Sequence, residues 1–292
     1  MNQPLIQRAI ARVDSPETRR GYSDEHRVRP LIEPGDWAAT DPFLLLMEDW
    51  AGPGVFGPHP HRGIQTLTFL IQGEVEHRDN HGYNAKISAG DALLMTAGRG
   101  IVHDEGPADG GAVHLLQLWI NLPRKDKLVD ANVQALLARE LPVRHEPGAE
   151  LRVFSGTSGS AVAPTANYAP VTIVEVRLQP GATVEQELPP DYNGFVVVLE
   201  GNAAVGPSST LVSEGQVGWL TPAEQPSAVT LAAGTKGLRA LIVAGEPLRE
   251  PVAARGPFVM NTKAELDAGF AEFRSQGDQF GVPRRTTSMG SA

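Results

Sequence analysis

Apolar and polar positions alternate along much of the chain in short runs interrupted by glycines, a pattern typical of antiparallel strands joined by tight turns. The first half contains LIQGEV at 70–75 and ISAGDALLMTAG at 87–98; the second contains VLEGNA at 198–203 and VSEGQVGWLTPA at 212–223. In each copy an apolar strand enters a glycine turn, and a second glycine turn precedes another apolar strand. This internal repeat predicts an all-β protein with two tandem jelly-roll β-barrels.

Two segments have helical rather than strand spacing. DANVQALLARE at 130–140 predicts a short helix in the connection between the barrels. Near the C-terminus, Thr262 and Glu265 have the spacing of a capping box, and apolar residues follow on one face, so a helix is expected over about 262–275. We therefore predict an N-terminal domain at 1–135 and a C-terminal domain at 136–292, the latter including this helix and a polar tail over 284–292.

Composition narrows the possible functions. The chain has 292 residues, 41% of them hydrophobic, with 31 glycines, 24 prolines and no cysteine. Thiolate ligands, disulfides and iron–sulfur clusters are thereby excluded, so a metal would need imidazole and oxygen ligands. The net charge of −9 is spread along the chain, which argues against direct nucleic-acid binding. No apolar run is long enough to span a bilayer or to resemble a signal peptide, and we expect a cytoplasmic monomer without membrane contact.

Two pairs of polar residues suggest a metal site in the first barrel. His59 and His61 are two residues apart, and so are His103 and Glu105. Residues two apart in a strand point to the same side, so each pair can present both side chains to the barrel interior. Gly98 and Gly100 could bend the chain so that the second pair turns inward. If the two strands are neighbours, three imidazoles and one carboxylate surround one divalent ion, although isolated H-x-H pairs are more often ordinary surface histidines.

The other histidines are not expected to be ligands. His77 and His81 belong to the polar segment EHRDNHG, which predicts solvent-exposed or rim positions. His114 alternates with apolar residues and is expected to be a hydrogen-bonded core residue or a neighbour of the ligands. Counting from the repeat glycines, the second copy has Glu187 and Pro189 in place of the first pair and Ala228 and Thr230 in place of the second. The C-terminal barrel is therefore predicted to have no metal site of this type.

Several strings resemble one known family. PHPHRGIQTLTFLIQGEVEHRDNHG, AGDALLMTAGRGIVHDE, LLQLWINLP and EPVAARGPFVMNTKAEL are similar to segments of the pirins, a two-domain branch of the cupin superfamily, and the resemblance extends over nearly the whole chain. It implies a bicupin fold and one metal ion, usually iron, bound by the residues that match the family motifs, His59, His61, His103 and Glu105. Gln65 stands where many cupins have a glutamate after H-x-H.

The resemblance also implies a function. Some pirins have quercetin 2,3-dioxygenase activity, in which O2 opens a flavonol ring with loss of carbon monoxide. Glu105 would then be both a ligand and a proton acceptor. Fe(II) is expected first, while Mn, Co, Ni, Cu and Zn also accept imidazole and carboxylate. One carboxylate leaves a divalent site at about +1, which suits a chelating anionic hydroxy-ketone. Arg62 and Arg99 could attract such a substrate or, equally, form surface salt bridges. An aromatic lining could come from Phe43, Trp50, Phe56 or Phe69, although core packing explains most of these residues equally well.

Two other functions stay open. Other pirins are redox-sensing regulators that bind a transcription factor or a metabolic enzyme, and a change between Fe(II) and Fe(III) would alter the local field without turnover. A storage or structural cupin would tolerate loss of its metal, and a structural zinc ion could use the same four residues. An enzyme requires access to the metal and consumption of O2, whereas a regulator requires a protein partner and little turnover.

Overall fold

The computed structural model describes residues 5–283, and the polar tail predicted at 284–292 lies outside them. The first strands are β1 Ile6–Gln7, β2 Ile10–Asp14, β3 Arg19–Arg20, β4 His26–Ile32, β5 Phe43–Ala51, β6 His59–His61, β7 Ile64–Gln72, β8 Glu74–Asp79, β9 Asn84–Ser88, β10 Ala92–Thr96, β11 Ile101–Pro107, β12 Val113–Asn121 and β13 Asn132–Leu136. The later strands are β14 Val143–Glu146, β15 Ala149–Ser155, β16 Thr157–Ser158, β17 Ala161–Val162, β18 Val171–Leu178, β19 Thr183–Leu188, β20 Asn193–Val205, β21 Thr210–Ser213, β22 Val217–Leu220, β23 Ser227–Gly245, β24 Ala253–Arg255 and β25 Phe258–Met260. The α-helices are α1 Trp37–Thr40 and α2 Lys263–Gln276, and short 3-10 turns lie at Ala108–Gly110, Arg124–Asp126 and Gly277–Gln279.

The strands form two barrels of the same topology. In the first barrel one sheet has the order β13-β10-β7-β12-β5-β4-β3 and the other has the order β6-β11-β8-β9. In the second barrel the matching series are β2-β22-β20-β23-β18-β15-β14 and β19-β23-β20-β21, because the long strands β20 and β23 run through both. The predicted all-β architecture with two cupin-type barrels is therefore confirmed.

A glycine at the same point of each barrel explains the repeated sequence. Gly73 and Gly201 both have positive φ angles, of 88° and 80°. A Cβ atom at these positions would lie 2.4 Å from the carbonyl oxygen of Ala112 and 2.3 Å from that of Gly237, respectively. Each turn thus needs a residue that tolerates left-handed backbone and leaves room for a neighbouring strand, and only glycine meets both conditions.

Three apolar clusters hold the barrels together. One fills the interior of the first barrel, around residues such as Ile64 and Leu70, and a second fills the interior of the second barrel, around Val196 and Val229. The largest lies between the barrels and includes Phe43, Phe69 and Phe195 with other residues of both sheets. The main sheet of the first barrel is therefore buried on both faces, which its continuous apolar runs reflect.

Each end of the chain packs on the barrel formed by the other half of the sequence. Strands β1 and β2, near the N-terminus, pair with β23 and β22 of the second barrel. Helix α2, in contrast, packs through Phe258, Phe280 and neighbouring phenylalanines against Val102 of the first barrel. The domain limits predicted at 135 and 136 stay a prediction.

The helix prediction near the C-terminus is confirmed, whereas the one in the connection is wrong. Helix α2 begins after Thr262, whose hydroxyl accepts from the backbone N–H of Glu265 in a complete capping box. Residues 132–136 form strand β13 instead of a helix, because their backbone completes the edge of the sheet beside β10. Within residues 5–283, no helix combines the length and the apolar character that crossing a membrane requires.

Candidate metal centre

Two neighbouring strands bring the predicted histidines together. Strands β6 and β11 are antiparallel, with His59 opposite His103 and His61 opposite Ile101. Gly98 and Gly100, which precede β11, have positive φ angles, and the carbonyl oxygen of Gly98 accepts from the backbone N–H of Gly63. The expected glycine bend thus lies directly between the ends of the two strands.

The three imidazoles form a compact group. One ligand nitrogen each from His59, His61 and His103 lies within 4.8 Å of the others, and the Nε2 atoms of His59 and His103 are 3.1 Å apart. His61 and His103 are both 3% exposed, while His59 is half-buried. Burial, followed by the neighbouring imidazoles, lowers the pKa of His61 and of His103 well below the usual value. Both are therefore neutral at pH 7, with lone pairs available to a metal ion.

Glu105 lies outside that group of three but is held beside it. Its side chain is buried, and Oε2 accepts hydrogen bonds from the Thr68 hydroxyl at 3.1 Å and from the Gln117 amide at 3.3 Å. The other oxygen, Oε1, is buried without a hydrogen-bond partner among the described residues. A buried carboxylate oxygen left unpaired is costly, and a bound cation would satisfy it.

Half-buried side chains form a wall next to these residues. The indole of Trp119 contacts the His61 ring edge-on, with ring centroids 5.2 Å apart. Leu45 and Met47 are the cross-strand partners of Trp119 and Gln117, and all four are only partly buried although they share the inward face. This end of the barrel is therefore partly exposed to solvent. Two cavities of about 720 and 710 Å³ lie elsewhere, near the junction of the barrels, and neither is lined by the histidines.

The aromatic residues expected around a substrate lie mostly elsewhere. Phe43 and Phe69 are buried in the core between the barrels. Trp50 stacks on His114 with ring centroids 4.5 Å apart, and Phe56 packs edge-on against His26. Trp119 was missed, although its two-residue spacing from Gln117 in LLQLWINLP places both on one face of a strand.

The remaining candidate residues have structural partners. His114 Nε2 lies 2.8 Å from Glu48, which confirms the expectation of a hydrogen-bonded residue. The Gln65 amide donates to Thr96, and its oxygen accepts from the backbone of Tyr168, so Gln65 does not face the histidines. The two arginines are each engaged in an ion pair: Arg62 with Glu272 at 2.6 Å and Arg99 with Asp130 at 3.1 Å.

The expectation that His77 is solvent-exposed or at the rim is wrong. Its side chain is buried, with Nε2 3.1 Å from Asp79 and Nδ1 3.4 Å from Nδ1 of His103. The cause is the strand alternation of β8, which turns Val75, His77 and Asp79 inward between charged outward residues. His81 is half-buried and bonds to the carbonyl oxygen of Gly100 at 3.0 Å.

The second barrel has no histidine at the matching place. Strand β19 pairs with β23 so that Glu187 lies opposite Ala228, the correspondence that the repeat predicts. The inward residues are their neighbours, Gln186 and Leu188 on β19 and Val229 and Leu231 on β23. Of these four inward positions, three are therefore aliphatic, where the first barrel has imidazoles and a carboxylate.

Comparisons with known proteins agree with this architecture. The pirin family model matches residues 26–120, and the pirin C-terminal cupin domain model matches residues 173–280. Human pirin is 35% identical over 87% of this chain and 88% of its own length. A solved structure from Geobacillus kaustophilus is 45% identical, covers 85% of this chain and 100% of its own, and superposes with a TM-score of 0.83.

A second solved structure carries a functional name. It is a quercetin 2,3-dioxygenase from Acinetobacter baumannii, 32% identical, covering 92% of this chain and 97% of its own, with a TM-score of 0.81. The histidine cluster of this chain, which could hold a metal ion, lies in the segment that the pirin model matches. On this evidence the chain belongs to the pirin family.

Proposed function

We propose that the protein binds one divalent metal ion, Fe(II) first, through His59, His61, His103 and Glu105, and that it is a dioxygenase acting on a flavonol-like hydroxy-ketone. The observation that carries the proposal is the convergence of three imidazoles, together with a buried carboxylate oxygen without a partner two residues from His103 on β11. These residue types match the ligand preference of first-row divalent metals.

The spacing of the imidazoles supports metal binding. Imidazole nitrogens bind such metals at about 2.1 Å, so two of them at right angles would lie about 3.0 Å apart. The Nε2 atoms of His59 and His103 are 3.1 Å apart. When bound, the metal would supply Lewis acidity and a binding position for O2 and for the substrate oxygens. Four protein ligands would leave two positions of an octahedral ion for these small molecules.

The chain's own residues would bind the substrate and move its proton. Trp119, Leu45 and Met47 offer an apolar wall for a flat aromatic molecule on the same inward face as Gln117. Because Thr68 and Gln117 hold Oε2 of Glu105, its Oε1 is the oxygen that would take the proton from a substrate hydroxyl. The A. baumannii relative named a quercetin 2,3-dioxygenase supports this substrate class.

Carbon monoxide release tests the activity. The protein is loaded with Fe(II) without oxygen, a flavonol is added, and carbon monoxide and the ring-opened product are followed after air is admitted. We expect carbon monoxide in proportion to flavonol consumed, and its loss in the His61→Leu variant. Parallel samples with Mn, Co, Ni and Cu test the metal. Metal binding without carbon monoxide from any sample would reject the dioxygenase and leave the metal site standing.

A regulatory function is the second candidate, and one contact favours it. Arg62, directly after His61, reaches outward to Glu272 of helix α2, and the carbonyl oxygen of Arg62 accepts from the backbone N–H of Val259. A change of charge at the metal would thus act on a strand that is joined to the outer surface. A protein partner that binds the Fe(III) form more tightly than the Fe(II) form, with no flavonol turnover, would favour the regulator.

A further inference from the structure

A buried pair of side chains lies behind His103, on the side away from His59. His77 and Asp79 are two residues apart on β8, and both side chains are fully buried. Strand β8 pairs with β11, with Asp79 opposite His103 and His77 opposite Glu105. His77 Nε2 is 3.1 Å from Asp79 Oδ2, and His77 Nδ1 is 3.4 Å from His103 Nδ1. These atoms form one hydrogen-bonded series that runs from Asp79 through His77 to His103.

Counting donors and acceptors fixes the direction of each hydrogen bond in this series. The Oδ1 atom of Asp79 accepts from the backbone N–H groups of His81 and Tyr83, at 2.8 and 3.1 Å, so the carboxylate is an acceptor throughout. His77 Nε2 must then carry a hydrogen that it donates to Oδ2. In neutral His77 the lone pair is left on Nδ1, which faces His103 and accepts the hydrogen on His103 Nδ1. His103 Nε2 is consequently the unprotonated nitrogen, and it faces His59 Nε2 at 3.1 Å.

We propose that Asp79 and His77 are positioning residues that hold His103 in the Nδ1–H tautomer and thereby prepare its Nε2 atom for the metal. The proposal rests on the metal site proposed above. A neutral imidazole can carry its hydrogen on either nitrogen, and only the unprotonated one can bind a metal. Metal-bound histidines commonly donate their other N–H to a carboxylate or a carbonyl group; here His77 stands between ligand and carboxylate.

The substitution Asp79→Asn should reverse the direction of these hydrogen bonds. It should keep the turn in which the side chain of residue 79 accepts from the backbone of His81 and Tyr83. The two backbone N–H groups need an oxygen at the Oδ1 position, so the amide nitrogen of the new residue must face His77. That nitrogen donates to His77 Nε2, which moves the hydrogen of His77 to Nδ1. His77 Nδ1 then becomes a donor toward His103 Nδ1 and favours the tautomer with the hydrogen on His103 Nε2, the nitrogen that a metal would need.

Two measurements test this reversal. In the metal-free protein, nitrogen-15 NMR of the imidazoles should show His103 as the Nδ1–H tautomer in the wild type and as the Nε2–H tautomer in Asp79→Asn. In titrations with Ni(II), the variant should bind about 10–100-fold more weakly, the usual loss for residues that orient a ligand. An unchanged tautomer together with unchanged Ni(II) affinity in Asp79→Asn would overturn the proposal.

Control variants separate tautomer from charge and from fold. Asp104→Asn removes the same charge at an exposed position between His103 and Glu105, and it should keep the wild-type tautomer and affinity. His77→Asn keeps an acceptor for His103 and should restore binding relative to His77→Leu, which has none. If the wild-type protein binds no Ni(II), the proposed metal site fails, whereas the NMR comparison still decides whether Asp79 sets the tautomer.

Discussion

The two barrels share their topology and differ in what they enclose. At the inward positions of the paired strands, the first barrel has His59 opposite His103 where the second has Gln186 opposite Val229. The second interior is otherwise a continuous aliphatic cluster. The same fold thus serves in one copy as a packed core and in the other as a frame for polar groups. Only the packed copy gains the full stabilisation that apolar burial provides.

The first barrel shows which of its buried polar side chains have hydrogen-bond partners. In the first barrel, Glu105 is held by Thr68 and Gln117, and His103 is in contact with His77. Among the proposed ligands, two buried atoms have no hydrogen-bond partner within residues 5–283, Oε1 of Glu105 and Nδ1 of His61. Because both atoms belong to proposed ligands, their lack of partners agrees with a site prepared for a cation.

Placing one residue of the second barrel in the first should have the largest effect on metal affinity. His61→Leu installs the residue of the second barrel, Leu188, in the first. We expect Ni(II) or Fe(II) affinity to fall at least about 100-fold, more than for residues that only orient a ligand. The free energy of unfolding without metal should change by less than about 1.5 kcal/mol, because leucine and histidine have similar volumes. Calorimetric titration and urea unfolding measure the two quantities.

The reverse exchange is the matched control. Leu188→His buries an imidazole among aliphatic side chains, which should lower the free energy of unfolding by about 1–3 kcal/mol. Metal binding by the first barrel should not change. If Leu188→His weakened metal binding as strongly as His61→Leu does, the barrels would not be independent in this function.

Much of this comparison could be predicted from the sequence. The glycine turns at Gly73 and Gly201 marked the repeat because their conformation and close neighbours admit no other residue, and the capping box marked helix α2. The H-x-H and H-x-E pairs needed only the two-residue period of a strand. These features depend on local conformation, which a single sequence records directly.

Other features depend on which strands become neighbours. Residues 132–136 have apolar spacing compatible with a helix, yet pairing with β10 makes them a strand. His77 was assigned to solvent because its outward neighbours are charged, while its own direction is set by β11 beside it. For Phe69 the sequence leaves a substrate lining and core packing equally open; the side chain faces the second barrel, and no local pattern shows that the sheet is covered on both faces.

Each barrel contains a buried cationic side chain, and the two can be compared by how stability depends on pH, an effect of intermediate size. Lys127 donates to the carbonyl oxygens of Gly63 and Val259, and Arg8 donates to that of Pro189. Gly63 and Pro189 both follow the short strand that carries, or would carry, the first ligand pair. Burial lowers the pKa of Lys127 to about 7. Burial also lowers the pKa of Arg8, but an arginine stays protonated in proteins.

The lysine should therefore make stability depend on pH. Between pH 7 and the pKa of about 10.4 in the unfolded chain, the unfolded state binds more protons than the folded state, so the free energy of unfolding rises with pH. From pH 7 to 9 the wild type should gain about 2 kcal/mol relative to Lys127→Met, measured by urea unfolding. The difference between the wild type and Arg8→Met should stay constant. Parallel pH curves for the wild type and Lys127→Met would contradict the prediction.

The smallest expected effect concerns the residue that holds Glu105. Counting back from the repeat glycines, Thr68 corresponds to Val196 of the second barrel, so Thr68→Val makes the two interiors alike at nearly constant volume. Glu105 Oε2 would keep only the Gln117 amide as donor. Loss of one such hydrogen bond is worth about 1 kcal/mol, and the affinity for Ni(II) should fall about fivefold. Thr66→Val also removes a hydroxyl from an inward position of β7, two residues before Thr68, but Thr66 does not hold Glu105. This variant should bind Ni(II) as tightly as the wild type. Equal losses in both variants would mean that the barrel responds to polarity in general, and the specific support of Glu105 by Thr68 would then have to be given up.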